Sequence, residues 1–382
     1  MRKLITAESV SEGHPDKVCD QISDAILDDL LKQDPNSKVA IECLAKSGMI
    51  IAAGEIKSEG YVDVQNIVRK TLKEIGYIHP KYGIDGNSCA VLSAINEQSP
   101  DINQGVVDTE HEQGAGDQGI MFGYACNETQ ELMPLPITLA HRLVKRLADL
   151  RKTGEIKGIG PDAKSQVTIE YEEDKPVRVH TIVIAQQHLE EVHESYLRRK
   201  IQDKVIKKVC GNLLDKNTII HINGTGKFVI GGPEADAGLT GRKIIVDTYG
   251  GKGRHGGGAF SGKDPSKVDR SATYMARYIA KNLVAAKISS EIEVQLSYVI
   301  GVANPIAIHV DTFGKGKIPE DKIIEIIKKV FPLKPAQIIN HLKLKRPIYR
   351  QTAAYGHFGR PEFTWEQIDK VEEIQSYLNS TN

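Results

Sequence analysis

Apolar residues recur along the chain with two different periods, and the order of the two periods predicts helices and strands. A stretch that Pro15 can open carries Val18, Ile22, Ile26 and Leu30 at helical spacing. Alternating apolar and polar residues then indicate a strand hairpin, which is followed by a second helical stretch and a further strand. The remaining elements of this unit are predicted at about 38–45, 49–57, 63–75 and 88–95.

The order helix, strand, strand, helix recurs twice more along the chain. The second unit is predicted at about 136–151, 166–172, 177–186 and 190–209, and the third at about 267–286, 292–300, 306–312 and 319–330. Such units are typical of α+β structure, in which helices cover one face of each sheet. We therefore expect three similar α/β domains over about 1–110, 111–232 and 233–382, with terminal segments free to cross between them.

Length and charge limit the classes of function. The chain has 382 residues, which is more than one hydrophobic core usually serves. Its 50 basic and 50 acidic side chains cancel, which excludes the global basic character of a nucleic-acid coat. Within 242–287, however, 10 basic residues face 3 acidic ones among many glycines. This local excess predicts a compact polyanionic ligand.

Cysteine usage and hydropathy indicate the compartment. The five cysteines are odd in number, are never spaced as C-x-x-C, and mostly sit among apolar residues, so we expect buried free thiols in a reducing compartment. No apolar stretch follows the N-terminus as in a signal peptide, and nowhere do about 18 apolar residues run together. We expect a cytoplasmic protein that neither enters a membrane nor binds nucleic acid.

Several glycine-rich segments resemble phosphate loops without matching them. The G-x-G-x-x-G pattern occurs at 114–119 and 251–256, but neither copy leaves a strand and opens a helix. Residues 257–263 fit the first seven places of a P-loop, yet Asp264 stands where a hydroxyl should hold magnesium, and the strand predicted at 244–246 ends too early. A flexible surface loop is one interpretation. The local charge favours anion binding instead, through Arg242, Lys243, Arg254, Lys263, Lys267 and Arg270.

Four carboxylates allow a structural and a functional interpretation. Asp16 and Asp269 lie in predicted first turns of helices, where acidic residues are favourable in any case. They are equally suitable magnesium ligands beside phosphate oxygens. Glu42 and Glu55 interrupt the apolar runs of the first hairpin, where alternation alone can point them outward. A role in binding a cation or an amine stays open.

Taken together, the loops resemble the signature segments of the S-adenosylmethionine synthetase family, in its bacterial form. The resemblance spans about residues 4–365 and rests on six segments in order: Gly13-His14-Pro15-Asp16-Lys17, Gly114-Ala115-Gly116-Asp117-Gln118-Gly119, Phe228-Val229-Ile230-Gly231-Gly232-Pro233, Gly241-Arg242-Lys243-Ile244-Ile245-Val246-Asp247-Thr248-Tyr249-Gly250-Gly251, Gly256-Gly257-Gly258-Ala259-Phe260-Ser261-Gly262-Lys263-Asp264 and Ala353-Ala354-Tyr355-Gly356-His357-Phe358-Gly359. It implies three similar α/β domains about a pseudo-threefold axis. It also implies a tight dimer with active sites shared between subunits, usually paired into a homotetramer.

The resemblance also implies the reaction. ATP, L-methionine and water give S-adenosylmethionine, phosphate and pyrophosphate, with two Mg²⁺ per site and K⁺ as cofactors. The methionine sulfur attacks C5′ of the ribose and expels triphosphate, which is then hydrolysed. A thioether loses no proton, so the first step needs no general base, and charge on the leaving group is what has to be stabilised.

Individual roles follow from the resemblance, motif by motif. The residues that it implies are catalytic are His14, Lys164, Arg242, Lys243, Lys263 and Asp269. Contacts to ATP would come from the first five of these together with Asp117, Asp162, Lys227, Phe228, Asp236 and Ala259. Methionine would meet Glu55, Gln98, Asp236 and Lys267. Asp16 and Asp269 would bind Mg²⁺ and Glu42 would bind K⁺, while residues 98–108 would form a mobile lid.

Two departures from the family pattern stand out. Gly224 replaces the usual Pro, and Lys227 replaces an Arg, which keeps the charge but loses the forked geometry. The segment 105–113 looks shorter than is usual. Two other functions remain as alternatives, namely a nucleotide triphosphatase or kinase using the same cationic loop, and a regulatory subunit that binds nucleotide without turnover.

Overall fold

The structure, a computed structural model, describes residues 2–97 and 114–381. Eleven α-helices occur in the described part of the chain: α1 Pro15–Gln33, α2 Val64–Ile75, α3 Leu135–Lys152, α4 Glu194–Ile201, α5 Lys207–Cys210, α6 Gly232–Ala235, α7 Ile244–Asp247, α8 Val268–Ala285, α9 Glu320–Val330, α10 Pro335–His341 and α11 Val371–Thr381. The strands there are β1 Arg2–Val10, β2 Lys38–Lys46, β3 Met49–Lys57, β4 Ala90–Glu97, β5 Gly119–Cys126, β6 Ile159–Glu172, β7 Lys175–His188, β8 Ile219–Ile222, β9 Gly238–Leu239, β10 Glu291–Tyr298 and β11 Ala307–Asp311.

These strands form three sheets, with the orders β4-β3-β2-β9, β1-β6-β7-β8 and β11-β10-β5. Each sheet is built around an antiparallel hairpin, β2–β3, β6–β7 or β10–β11. Each also takes a strand from a distant part of the chain, since β1 pairs with β6, β5 with β10 and β9 with β2. The sheets thus tie the three parts of the chain together, while the predicted domain boundaries stay a prediction.

The predicted repetition of helix, hairpin and helix is confirmed. It appears as α1–β2–β3–α2, as α3–β6–β7–α4 and as α8–β10–β11–α9, and in each unit the first helix packs on the sheet. Buried apolar side chains form two clusters, one around α3 and the β6–β7 hairpin and a larger one around α1 and α8. Apolar spacing of 3.6 on one helix face explains why these helices cover their sheets.

Two local predictions differ from the structure. The strand predicted at 244–246 is wrong, because these residues form the short helix α7. The helix predicted over about 190–209 begins at Glu194 and contains a π-helical turn at Gln202–Ile206. The short helix α7 is held by a distant segment, because the N–H of His357 donates a hydrogen bond to the carbonyl of Asp247 at 3.0 Å. The apolar run at 244–246 gives no sign of this contact.

Two expectations concern the cysteines and the membrane. All five cysteines are unpaired and buried, as their apolar surroundings predict. Among the described residues, no helix combines the length and the apolarity that a bilayer crossing requires.

Candidate active site

The N-terminus of α1 forms the centre of the candidate site. His14 is the N-cap of this helix, and its Nδ1 accepts a hydrogen bond from the N–H of Asp16 at 3.2 Å. Pro15 occupies the first helical turn, where its missing N–H costs nothing. Burial, followed by the nearby charges of Lys243 and Lys164, lowers the pKa of His14 to about 3. His14 is therefore neutral at pH 7 with its proton on Nε2.

Two basic residues from the segment before α7 lie over this helix terminus. Lys243 Nζ is 2.5 Å from Asp16 Oδ2, and a guanidinium nitrogen of Arg242 is 3.8 Å from Oδ1. The N–H of Leu239 donates to the same carboxylate at 3.0 Å. Burial opposes ionisation of Asp16, but these bonds lower its pKa below the ordinary value. The carboxylate is thus charged and held between the two segments.

A second charged group lies at the start of α8. Lys263 Nζ pairs with Asp269 Oδ2 at 2.7 Å, and both side chains are partly exposed. A Cβ built at Gly258 would lie 2.3 Å from an Asp269 carboxylate oxygen, so this loop passes directly against that side chain. A larger residue at position 258 would displace the Asp269 carboxylate.

The segment that precedes α6 carries two of the residues predicted to contact ATP, Lys227 and Phe228. Phe228 is fixed by its backbone, whose N–H donates to His188 Nε2 at 3.2 Å and whose carbonyl accepts from the His188 N–H at 2.9 Å. Asp162 is buried and accepts the N–H of Gly232 at 2.8 Å, and burial raises its pKa to about 6. Asp162 therefore anchors the loop, whereas Lys227 and Asp236 are exposed.

The structure brings some of the sequence-predicted residues together and leaves others apart. His14, Asp16, Arg242 and Lys243 form the first group, and Lys164 acts on it electrostatically from an exposed position on β6. The second group is Lys263 with Asp269. Within residues 2–97 and 114–381, no hydrogen bond or ion pair joins the two groups directly, although a Cβ built at Gly241 would lie 2.7 Å from that of Ala259.

The remaining candidates lie around these groups. Glu42 and Glu55 are exposed on β2 and β3, as alternation alone predicts. Asp117 is exposed just before β5, and its Oδ1 accepts the N–H of Gln118 at 2.7 Å. Lys267 pairs with the buried Asp264. Gln98 and the predicted lid 98–108, like the segment 105–113, lie outside the described residues.

Sequence reasoning missed the buried charges beneath the site. Lys17 is fully buried and pairs with Asp20 at 2.9 Å and with Asp247 at 2.5 Å. Asp24 binds Arg270 through two bonds of 2.7 and 2.8 Å, and because both side chains are fully buried, the expectation that Arg270 binds an anionic ligand is wrong. A signal was present, because aspartates recur every four residues along α1, on a helix that its apolar pattern already marks as buried.

The chemistry of the site is that of a binding site for a polyphosphate. Cationic side chains lie at the N-termini of both α1 and α8, each beside a glycine-rich segment. Across the described parts of the chain, no three His, Cys, Asp or Glu residues are grouped as a metal site. Asp16 and Asp269 each offer one hard carboxylate ligand, which is the number that Mg²⁺ takes when substrate phosphates supply the others. The residues thus fit Mg²⁺ carried with a polyphosphate.

The fold and this site define a multidomain α+β enzyme that acts on a polyphosphate substrate. Comparison with known proteins specifies the family. Residues 2–100, 112–228 and 230–367 match the models of the S-adenosylmethionine synthetase N-terminal, central and C-terminal domains, respectively. Similar proteins are the S-adenosylmethionine synthases of Clostridium acetobutylicum (60% identical, covering 99% of this chain and all of the relative), Clostridium tetani (57%, 99% and all) and Sorangium cellulosum (57%, 99% and 90%).

The chain therefore belongs to the S-adenosylmethionine synthetase family, and it is an enzyme of the methionine adenosyltransferase type. Enzymes of this family act on ATP and methionine and depend on a metal. These findings support a synthase and not a triphosphatase or a non-catalytic subunit.

Proposed function

We propose that this chain forms S-adenosylmethionine, phosphate and pyrophosphate from ATP, L-methionine and water in the site around the N-terminus of α1. The observation that carries the proposal is the match of all three family domains, in order, over nearly the whole chain. The new S–C5′ bond uses a lone pair of the methionine sulfur, and the pair of the breaking C5′–O bond leaves with triphosphate. Water then cleaves the triphosphate.

The cations of the first group stabilise the leaving triphosphate. Lys243 and Arg242 already lie against one carboxylate, so an incoming polyanion replaces Asp16 as their partner without a large rearrangement. Neutral His14 accepts the Asp16 N–H on Nδ1, which leaves Nε2–H free to donate to a phosphate oxygen. Lys164 completes this group from β6.

Lys263 and Asp269 act on the same polyphosphate from the second group. Lys263 supplies positive charge where negative charge develops. Phe228 stacks on the adenine, with Asp162, Lys227, Asp236, Ala259 and Asp117 around the nucleotide. Glu55, Gln98, Asp236 and Lys267 bind methionine.

The metal ions are assigned to the carboxylates in the same way. Asp16 and Asp269 hold two Mg²⁺ ions, which supply Lewis-acid stabilisation of the phosphate charge when bound. Glu42 holds K⁺ from its exposed position on β2. We assign the complete site to a dimer with shared active sites within a homotetramer. The assignment is consistent with the fact that no hydrogen bond or ion pair connects the two charged groups within the described part of one chain.

One incubation tests the proposal. The protein is supplied with ATP, Mg²⁺ and K⁺, with and without L-methionine, and the three products are quantified separately. We expect equal amounts of S-adenosylmethionine, phosphate and pyrophosphate, appearing only with methionine. Phosphate release that ignores methionine, or no turnover, would contradict the proposal. Omitting K⁺ or replacing Mg²⁺ by Ca²⁺ tests the cofactor assignments in the same assay.

A further inference from the structure

Four aspartates on α1 share one geometry. Asp16, Asp20, Asp24 and Asp28 are spaced four residues apart, which places them along one side of the helix, and their exposed fractions are 2%, 0%, 0% and 8%. All four accept hydrogen bonds from backbone N–H groups of loops more than 200 residues away. We call this row of residues the aspartate ladder.

The four aspartates of the ladder hold three segments of the chain. Asp16 accepts from Leu239 at 3.0 Å and Asp20 from Gly241 at 2.8 Å. Asp24 accepts from Gly262 at 2.8 Å, while Asp28 accepts from the consecutive N–H groups of Tyr349 and Arg350, both at 2.9 Å. The order of the aspartates along α1 matches the order of the loops along the chain.

Asp20 holds the segment that carries two proposed phosphate ligands. Gly241 directly precedes Arg242 and Lys243. Asp20 also binds Lys17, whose second partner Asp247 ends the short helix that begins after Lys243. The backbone of this segment is therefore held at both ends by α1.

Asp24 holds the segment that carries the second group. Besides the N–H of Gly262, it binds Arg270, which donates in turn to the carbonyls of Phe260 and Lys263 at 3.0 and 3.2 Å. Arg270 directly follows Asp269. The ion pair thus connects α1 to the backbone on both sides of the Lys263–Asp269 pair, and both of its side chains are fully buried.

We propose that Asp20 and Asp24 are positioning residues for the reaction, each of which fixes the phosphate-binding segment that it holds against the rigid helix α1. The inference rests on the proposed function, because it takes Arg242, Lys243, Lys263 and Asp269 as the groups that meet the polyphosphate. A rigid support of this kind matters because a displacement of about 1 Å at a reacting centre costs on the order of 100-fold in rate. Asp28 has the same geometry but holds residues without a proposed chemical role, so it is a matched control.

The test compares Asp20→Asn, Asp24→Asn and Asp28→Asn. Asparagine keeps the size of the side chain but places an amide N–H₂ against Lys17 or Arg270, so the bonded loop shifts. Calorimetry with inorganic tripolyphosphate in the absence of Mg²⁺, so that the proposed hydrolysis does not run during the titration, measures binding in the folded fraction, which circular dichroism defines. We expect binding about tenfold weaker for Asp20→Asn and Asp24→Asn, and within about twofold of the parent for Asp28→Asn.

Turnover separates positioning from simple destabilisation. In Asp24→Asn we expect kcat to fall about 10- to 100-fold and the Mg²⁺ concentration for half-maximal rate to rise, because Asp269 is displaced. Asp28→Asn lowers thermal stability but keeps kcat and the Mg²⁺ requirement. If Asp24→Asn does not fold, Arg270→Lys, which keeps the charge but loses the second bond to Asp24, gives the same comparison. Equal losses in Asp24→Asn and Asp28→Asn at the same folded fraction would overturn the inference.

The binding measurement also separates this inference from the proposed function. A parent protein that binds tripolyphosphate but makes no S-adenosylmethionine contradicts the proposed function alone, and the variants then still test the ladder by affinity. A parent that binds no tripolyphosphate contradicts both.

Discussion

Two arginines on α8 have almost the same surroundings and different consequences. Arg270 binds Asp24 and Arg277 binds Glu366, each through two hydrogen bonds, and all four side chains are fully buried. Seven residues separate the arginines, which is about two helical turns. Arg270 connects to the loop of Lys263, whereas Arg277 donates to carbonyls of the segment before α3.

The comparison shows that position in the fold, not the type of interaction, decides what a buried ion pair does. Glu366 also binds Lys281 at 2.7 Å, and Arg277 donates to the carbonyls of Tyr124, Glu131 and Leu132, so this network joins the third part of the chain to the second without involving the site. The pair around Arg270 lies directly beneath charged groups that remain partly exposed. Removing Arg270 leaves the buried Asp24 without its cation, whereas removing Arg277 leaves Glu366 with Lys281 as its one remaining cation. Of the two arginines, Arg270 is the one that supports the site.

The largest expected effect is on stability, from Arg277→Met. This change removes bonds to Glu366 and to three backbone carbonyls, so we expect the free energy of unfolding to fall by about 3–5 kcal/mol. Chemical denaturation measures the loss. The half-exposed Arg142, which pairs with Glu131, is the control, and Arg142→Met should cost under about 1 kcal/mol. A Michaelis constant for ATP that rises in folded Arg277→Met would show that the two arginines do not differ as described.

The next effect is on catalysis, from Lys263→Ala. Its partly exposed pair with Asp269 contributes little to stability, but in the proposed reaction its charge stabilises the leaving triphosphate, so we expect kcat to fall about 100- to 1,000-fold. Steady-state kinetics with both substrates measures this. Lys322→Ala, at an exposed pair on α9, serves as the control. A rise confined to the Michaelis constant for methionine would refute the role given to Lys263.

A smaller effect is the pH dependence of stability contributed by His141. Burial lowers the pKa of His141 to about 3, from 6.5 in the unfolded chain, so the unfolded state binds more protons between these values. The free energy of unfolding is therefore unaffected by this group above about pH 6.5. As the pH falls from 6.5 towards 3, the free energy of unfolding decreases by about 1.4 kcal/mol per pH unit. His141→Leu should reduce the measured slope by that amount. The exposed His221 is the control, since His221→Gln should leave the slope unchanged.

Prediction from sequence succeeded where the signal is local. The helices α1, α2, α3, α8 and α9 lie within a few residues of their predicted bounds, because the 3.6 spacing of apolar side chains is set within each segment. Strands β1, β5 and β9 were not predicted. Each pairs with a distant strand, and no spacing within a short segment encodes a remote partner.

For the candidate site, too, the sequence gives local information but not the contacts between distant residues. Motifs predicted Asp16, Lys243, Lys263 and Asp269 as candidates, because glycine-rich loops with cations at helix starts carry their chemistry in neighbouring residues. The pairing of Lys243 with Asp16 joins residues 227 positions apart, and the motifs contain no information about it. His14 likewise looks like an ordinary basic side chain in sequence, whereas burial keeps it neutral.

The amino-acid sequence by itself therefore determined the repeated α/β units, the cationic glycine-rich loops and the family. Tertiary structure alone decided which charges are buried, which loops the aspartates of α1 hold, and that residues 244–247 turn into a helix. The physical reason is that helical periodicity depends on side chains within a few residues of each other. Burial and hydrogen-bond partners instead depend on which distant segments the hydrophobic core brings into contact.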